Sequence, residues 1–326
     1  MKELLVYLIE RNKKTFLYSV SMGISIDDWI TPKRLYDAHL HIFNYKGMEK
    51  RANRMGFTSL DQLVDYMSDR VGQSFVLPPK NDLELLKMWI DELNKNNVDK
   101  AIILPDWNDD SIVTLAAEHY PDRFIRFLMI NPTLENSLAF VENVHSKVGI
   151  HGIKLYPPSH YYHAYDERLT PLYEFCEDNG LLVTYHMGVS IGKYADLRFM
   201  NPTDVSPVAR NFPKLDILFA HFATGYFREL LFLMYHVDNV YAESSSSNKW
   251  IHYLPYKIEL KDVFEKIISL KGAQKIIFGT DSTMFPRGWR SAIFKTQLAV
   301  CNDLNLNQQQ IDQIFYKNLE NLLPKV

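Results

Sequence analysis

The chain has 326 residues, 47% hydrophobic and 23% charged, a composition that excludes disordered, collagen-like and mucin-like classes and leaves a folded chain with room for one large domain or two ordinary ones. Thirty-six basic against 39 acidic residues give a formal net charge of -3, so no strong field is available to recruit nucleic acid or an anionic membrane. Cys176 and Cys301 stand far apart with no CxxC pair, which excludes a disulfide framework and a cysteine-based zinc knuckle and fits a reducing cytoplasm.

In chain order, Met1 to Arg11 offers one short apolar run, Leu4 to Ile9, followed by Glu10, Arg11, Lys13 and Lys14 without a small-residue cleavage site, so it does not read as a signal peptide. Elsewhere no apolar run approaches the roughly 20 residues a membrane-spanning helix needs. Met1 to Arg34 reads as a helical extension packed outside the main domain. From Leu35 onward, short apolar runs rich in β-branched and aromatic residues alternate with segments of helical spacing. The predicted strands are Leu35 to His41, Lys100 to Leu104, Phe124 to Ile130, Gly152 to Tyr156, Leu181 to His186, Leu215 to His221, Asn239 to Glu243 and Lys275 to Thr280. Their near-continuous apolar character is that of parallel strands buried on both faces. Among the helices, Asn81 with Glu84 forms a capping box ahead of Leu85, Leu86, Trp89, Ile90 and Leu93, and Thr170-Pro171 opens a helix that Gly180 closes. Eight such repeats without a Gly-, Ser- or Pro-rich linker predict an α/β chain folded as one (β/α)₈ TIM barrel over residues 1–326, with additions. A doubly wound open sheet is the alternative. A long insertion after strand one, Asn44 to Lys80, is expected to cap the mouth of the barrel.

Catalytic groups of such barrels sit at the C-terminal ends of the strands, and five predicted strands end in polar, ligand-type residues. Strand one ends Asp37-Ala38-His39-Leu40-His41. Because strand side chains alternate, His39 and His41 are expected to point inward with Asp37 beneath them. Strand four carries Lys154 in an apolar setting, strand five ends in His186, strand six in His221 and strand eight in Asp281. A lone His-x-His is weak; the coincidence of four strand ends is not. Neutral imidazoles with one carboxylate suit zinc, iron, manganese or another divalent ion, and a bound ion can lower the pKa of its water from about 15.7 to about 7. Lys154 is read equally well as a structural ion-pair partner, of Asp37 or another carboxylate, and as a catalytic group. Tyr156 and His160 follow strand four as candidate pocket residues, and Ser244, after strand seven, as a substrate hydrogen-bonding residue. Arg51, Arg54, Arg198, Arg287 and Arg290 could grip a substrate carboxylate, although exposed surface positions are expected for each. The run Ser244 to Ser247 lacks the GxSxG elbow of a serine hydrolase, and no GxGxxG or P-loop segment occurs in the sequence.

Together these residues resemble the metal-dependent amidohydrolase superfamily, in particular the amidohydrolase-related branch that includes aromatic-acid decarboxylases and lactone hydrolases. Asp37-Ala-His39-Leu-His41 is similar to its strand-one signature, Leu181 to Gly188 to its strand-five segment, Phe219-Ala-His221 to strand six, Phe278-Gly-Thr-Asp281 to strand eight, and Asn318 to Leu323 to the closing helix. The resemblance implies that His39, His41, His186 and Asp281 bind one divalent metal, commonly zinc, with His221 as acid, base or electrophile. In two-metal relatives a strand-four lysine carries a bridging carbamate and the strand-six histidine becomes a ligand; Lys154 stands where that lysine would be. The expected function is a hydrolase using metal-bound hydroxide on an amide, lactone or ester carbonyl of a small molecule, with Asp281 shuttling the proton. The alternatives are a metal-dependent decarboxylase of an aromatic or enoic acid and a catalytically inactive binding barrel. A homo-oligomer pairing through Leu230 to Met234 is a further expectation, equally explained by core packing.

Overall fold

The computed structural model describes residues 29–190 and 195–324, with the backbone alone at 70 and 71. Residues 1–28, and with them most of the expected extension, lie outside the described residues. Eight strands form one parallel sheet in sequence order: β1 (Tyr36–His41), β2 (Lys100–Leu104), β3 (Phe124–Met129), β4 (Gly152–Leu155), β5 (Leu182–Tyr185), β6 (Ile217–Phe219), β7 (Val240–Glu243) and β8 (Ile276–Ile277). The chain following β8 closes the sheet on β1. Ala38 N–H donates to Phe278 O (2.9 Å), Asp281 N–H to His39 O (2.9 Å) and His41 N–H to Ser282 O (2.8 Å). The result is a nearly closed barrel with helices between the strands, as the alternation of patterns predicts.

Alternation along the strands divides the core into two layers. Ile102, Ile125, Phe127, Leu182, Leu218 and Ile277, drawn from strands around the whole barrel, meet in its interior. Their neighbours Ile103, Ile153, Val183, Ile217 and Ile276 face outward and pack with Trp89, Leu230 and Phe264 of the surrounding helices. Helix Asp82–Lys95 starts where predicted, with the Asn81 side chain accepting from Leu83 and Glu84 N–H, and buries Leu85, Leu86, Trp89, Ile90 and Leu93. Helix Thr170–Asp178 opens with Pro171 in its first turn. In helix Phe227–His236, Leu230, Leu233 and Met234 are core residues, whereas Phe232 and Tyr235 are exposed. The insertion after β1 folds as helices Tyr45–Arg54 and Leu60–Val71, then ties itself by Val76 N–H to Phe285 O (3.1 Å) to the loop beyond β8. No helix among the described residues is long and apolar enough to cross a membrane.

The strict alternation expected of strand one fails at one point. Asp37 lies opposite Ala101 and Leu40 opposite Ile103, three steps on β1 against two on β2. This β-bulge inverts the sense of the strand. Asp37 therefore shares the outward face with Ala101, while His41, opposite Leu104, faces inward. Asp37 does not lie beneath the histidines or pair with Lys154. Its carboxylate is fully buried and accepts from His39 N–H (2.9 Å), Thr280 N–H (2.9 Å), the Thr280 hydroxyl and Trp289 Nε1–H (2.8 Å), stitching β1 to the chain after β8 directly behind the histidine pair.

His151, ahead of β4, ties the opposite end of the barrel together, because its Nδ1 accepts Arg126 N–H (3.1 Å) and so must be unprotonated. Burial, then the charges of Arg126 and Lys100, depress its pKa from 6.5 to about 4. Below about pH 6.5 the unfolded chain takes up a proton that the folded one refuses, so stability from this site is lost as pH falls. His151→Asn keeps an acceptor and removes the titration. Between pH about 7 and about 5, wild type should lose about 1–2 kcal/mol relative to this variant in denaturant melts, allowing for partial exposure; a constant gap would mean that His151 titrates normally in the fold.

Candidate metal centre

Three of the predicted ligands meet at one point on the C-terminal rim. His39 Nε2 and His41 Nε2 are 3.2 Å apart, and Asp281 Oδ1 lies 4.0 Å from the first and 3.8 Å from the second. Donor atoms about 2.0–2.2 Å from one ion at near-tetrahedral angles lie roughly 3.3–3.5 Å apart, so this triangle closes on a divalent ion with small side-chain adjustments. His186 stands beside it, against Tyr156 (ring centroids 4.2 Å) and His221 (4.9 Å). It falls outside the group of donors lying within 4.8 Å of one another. Its buried Nε2 has no hydrogen-bond partner among the described residues, and neither has His41 Nδ1. An orphaned imidazole nitrogen at this depth is costly unless a ligand meets it.

Electrostatics keep these groups in ligand form. Burial holds His39, His41 and His221 well below the usual histidine range, with neighbouring cationic groups adding to the effect; His186 is pushed down to about 3, by burial and then Lys154. Neutral imidazoles are the metal-binding species. Asp281 is raised from 3.8 to about 6 by burial, which Arg290 and Lys154 oppose. Lys154 is fully enclosed, its Nζ 3.4 Å from His39 Nε2. Burial lowers its pKa while Glu243 and Asp281 hold its charge. The carboxylates facing this lysine are thus Glu243 and Asp281.

A layer of partners sits behind the ligands. Glu243 at the end of β7 accepts from His39 Nδ1 (2.9 Å), and Ser245 Oγ lies 2.7 Å from His221 Nδ1. Ser244 points the other way, as alternation requires. Its hydroxyl donates to Gln297 Oε1 (2.6 Å), and its carbonyl accepts from Gln297 Nε2. Fully buried and hydrogen-bonded to helix Ser291–Asp303 through Gln297, it does not offer its hydroxyl to a substrate as expected. Both His221 (φ 57°) and Asp281 (φ 60°) occupy the left-handed region, which costs a non-glycine residue of order 1–3 kcal/mol and persists only where the surroundings impose it. His221 opens four such residues in a row, through Thr224. Gly188 packs so closely there that a Cβ would stand 2.0 Å from Ala223 O.

The mouth is walled by aromatic groups. Trp107 meets His160 edge-on (4.6 Å) and lies 6.2 Å from Tyr156, and the buried His160 Nδ1 has no partner among the described residues. His41 stacks on Phe43, whose ring also carries the Arg51 guanidinium at 4.6 Å. Arg290 is not the exposed residue expected. It donates to Thr280 O (3.0 Å) and approaches Asp281 Oδ2 at 3.5 Å. Arg287 is partly buried, and its Nε has no hydrogen-bond partner among the described residues, whereas Arg198 is exposed and paired with Asp196.

The amidohydrolase family model matches residues 36–325. The chain belongs to the amidohydrolase family. No curated protein matches the sequence significantly. Solved structures share the amidohydrolase fold at low identity. An uncharacterized TIM-barrel protein from Bordetella bronchiseptica superposes with TM-score 0.61 at 20% identity, over 89% of this chain and 98% of its own. The 5-carboxyvanillate decarboxylase of Sphingomonas paucimobilis gives 0.62 at 10% identity over 89% and 98%, and a Pseudomonas putida protein assigned as a 2-pyrone-4,6-dicarboxylic acid hydrolase gives 0.57 at 15% over 89% and 97%.

Within this amidohydrolase site, sequence reasoning missed Glu243 and Trp107, and it reached Ser245 only as one serine of the run Ser244 to Ser247, read there as binding substrate. Glu243 carried the same signal as the other strand ends, an ionisable residue closing an apolar strand at the C-terminal rim. Ser245 follows once Glu243 is placed inward. Trp107 lies three residues beyond β2, and its approach to the site depends on a loop path that periodicity does not encode.

Proposed function

We propose that this amidohydrolase is a metal-dependent hydrolase of a small substrate with an amide, lactone or ester carbonyl. The observation that carries the reading is the convergence of His39 Nε2, His41 Nε2 and Asp281 Oδ1, all within 4.0 Å of one another. A divalent ion held by these residues with His186 would acidify a water and polarise the carbonyl. Asp281, partly open to solvent, takes the proton of the attacking water at its carboxylate and returns it to the leaving group. Arg290 keeps that carboxylate oriented through Oδ2. Tyr156, Trp107 and His160 form the wall against which a flat substrate packs, and Arg287, whose Nε has no partner among the described residues, is the donor for a substrate carboxylate.

The test supplies zinc, manganese or iron to metal-free protein, with bicarbonate present, and offers a panel of lactones, esters, amides and carboxylated aromatics. Appearance of a new carboxyl group is the expected product. Carbon dioxide release without one would replace hydrolysis by decarboxylation, and inertness of the metal-loaded protein across the panel would leave a binding barrel. Elemental analysis of the same samples should give about one ion per chain, since Lys154 is already charge-compensated by Glu243 and Asp281; about two would require a carboxylated Lys154 bridging a binuclear site.

A further inference from the structure

A hydrogen-bonded chain behind the site determines which nitrogen of His221 carries its proton. Glu243 accepts at Oε2 from His39 Nδ1 (2.9 Å) and from the Ser245 hydroxyl (2.8 Å), and at Oε1 from Ser245 N–H (2.5 Å). All of these groups are buried. A carboxylate oxygen that faces N–H and O–H donors accepts from each of them. Ser245 has a single hydroxyl proton, and Glu243 takes it. Ser245 Oγ can then meet His221 Nδ1, 2.7 Å away, only as an acceptor, because two lone pairs at that distance would repel.

We infer that Ser245 and Glu243 are positioning residues that fix neutral His221 as the Nδ1–H tautomer. The lone pair then sits on Nε2, at the ring edge away from Ser245, so neutral His221 offers the site a hydrogen-bond acceptor there and no oxyanion donor, while Asp281 remains the proton shuttle of the proposed hydrolysis. The same carboxylate treats His39 alike. Its Nδ1–H is held by Glu243, which turns the Nε2 lone pair towards His41 and Asp281. One buried glutamate thus sets the tautomers of a metal-ligand candidate and of the neighbouring catalytic candidate, the arrangement that outer partners of metal-site histidines serve generally. His221 has no freedom to turn away from Ser245, since its ring is packed between His39 (centroids 4.8 Å) and His186 (4.9 Å) on a left-handed turn. The tautomer assignment stands without the proposed hydrolysis; only its consequence for the reaction rests on that reading.

Nitrogen-15 NMR of the full chain labelled in histidine, recorded metal-free and zinc-loaded at mildly alkaline pH, reads the tautomer directly. The His221 signals are identified by their loss in His221→Asn. The expected pattern is a pyrrole-type Nδ1 and a pyridine-type Nε2, with Ser245→Ala moving His221 to a tautomer mixture and Ser245→Thr, which keeps the hydroxyl, restoring the pattern. Ser245→Ala should also keep its metal and lose about 10–100-fold in kcat. A wild-type His221 protonated on Nε2, or a Ser245→Ala protein with the wild-type pattern, would overturn the inference. Failure of the hydrolase reading looks different: no turnover from a wild-type protein whose His221 tautomer is as expected.

Discussion

Asp281→Asn should lower turnover by roughly 10²–10⁴-fold, the range that removal of a positioned general acid-base group produces. The geometry says how. Asp281 presents Oδ1 to the histidine pair and Oδ2 to Arg290 at 3.5 Å. An asparagine has one oxygen to share between those two environments, and the guanidinium, which offers only donors, takes it. The amide NH₂ is then turned towards His39 and His41, where it can neither bind a cation nor accept a proton. Two losses are therefore expected together, and elemental analysis separates them. If metal is retained and kcat falls with KM little changed, the missing function is proton transfer; if metal is lost in proportion to activity, ligation dominates. A variant with full metal and full turnover would remove Asp281 from both roles.

The strand order and the convergence of His39, His41 and Asp281 were legible in the sequence because both follow from period. Parallel strands buried on two faces must be apolar throughout, so a histidine or aspartate that closes one stands out. What the sequence concealed has equally physical causes. The bulge in β1 adds one residue to one strand without any change in residue type that would mark it, so Asp37 looked like a member of the inward set and is in fact its outer brace. Ser244 and Ser245 are chemically identical, and only the inward placement of Glu243 decides which serves the site. Arg290 had the composition of a surface residue. Its burial depends on Ser282 Oγ accepting its N–H (2.9 Å) and on the Thr280 carbonyl, contacts created by barrel closure and not by local pattern.

The role assigned to Asp37 leads to an effect of opposite kind. Asp37→Ala should destabilise the protein by about 3 kcal/mol or more while leaving metal stoichiometry in the folded fraction unchanged. Truncation strands three buried donors, the N–H groups of His39 and Thr280 and the indole N–H of Trp289, and each buried donor left without a partner costs about 1–3 kcal/mol. Thermal unfolding should move down by roughly 5–10 °C. Asp37→Asn is the informative companion. One amide oxygen can still serve the two backbone N–H groups, but the NH₂ then faces the Trp289 indole N–H, so this variant should fall between wild type and alanine. Were Asp37 instead beneath the histidines, as strict alternation would have it, alanine would remove charge from the metal pocket and metal content would fall. The melting temperature and the metal content of these two variants, set against those of Asp281→Asn, therefore distinguish a carboxylate that holds the barrel closed from one that works inside it, although both belong to the junction of β1 with the chain after β8.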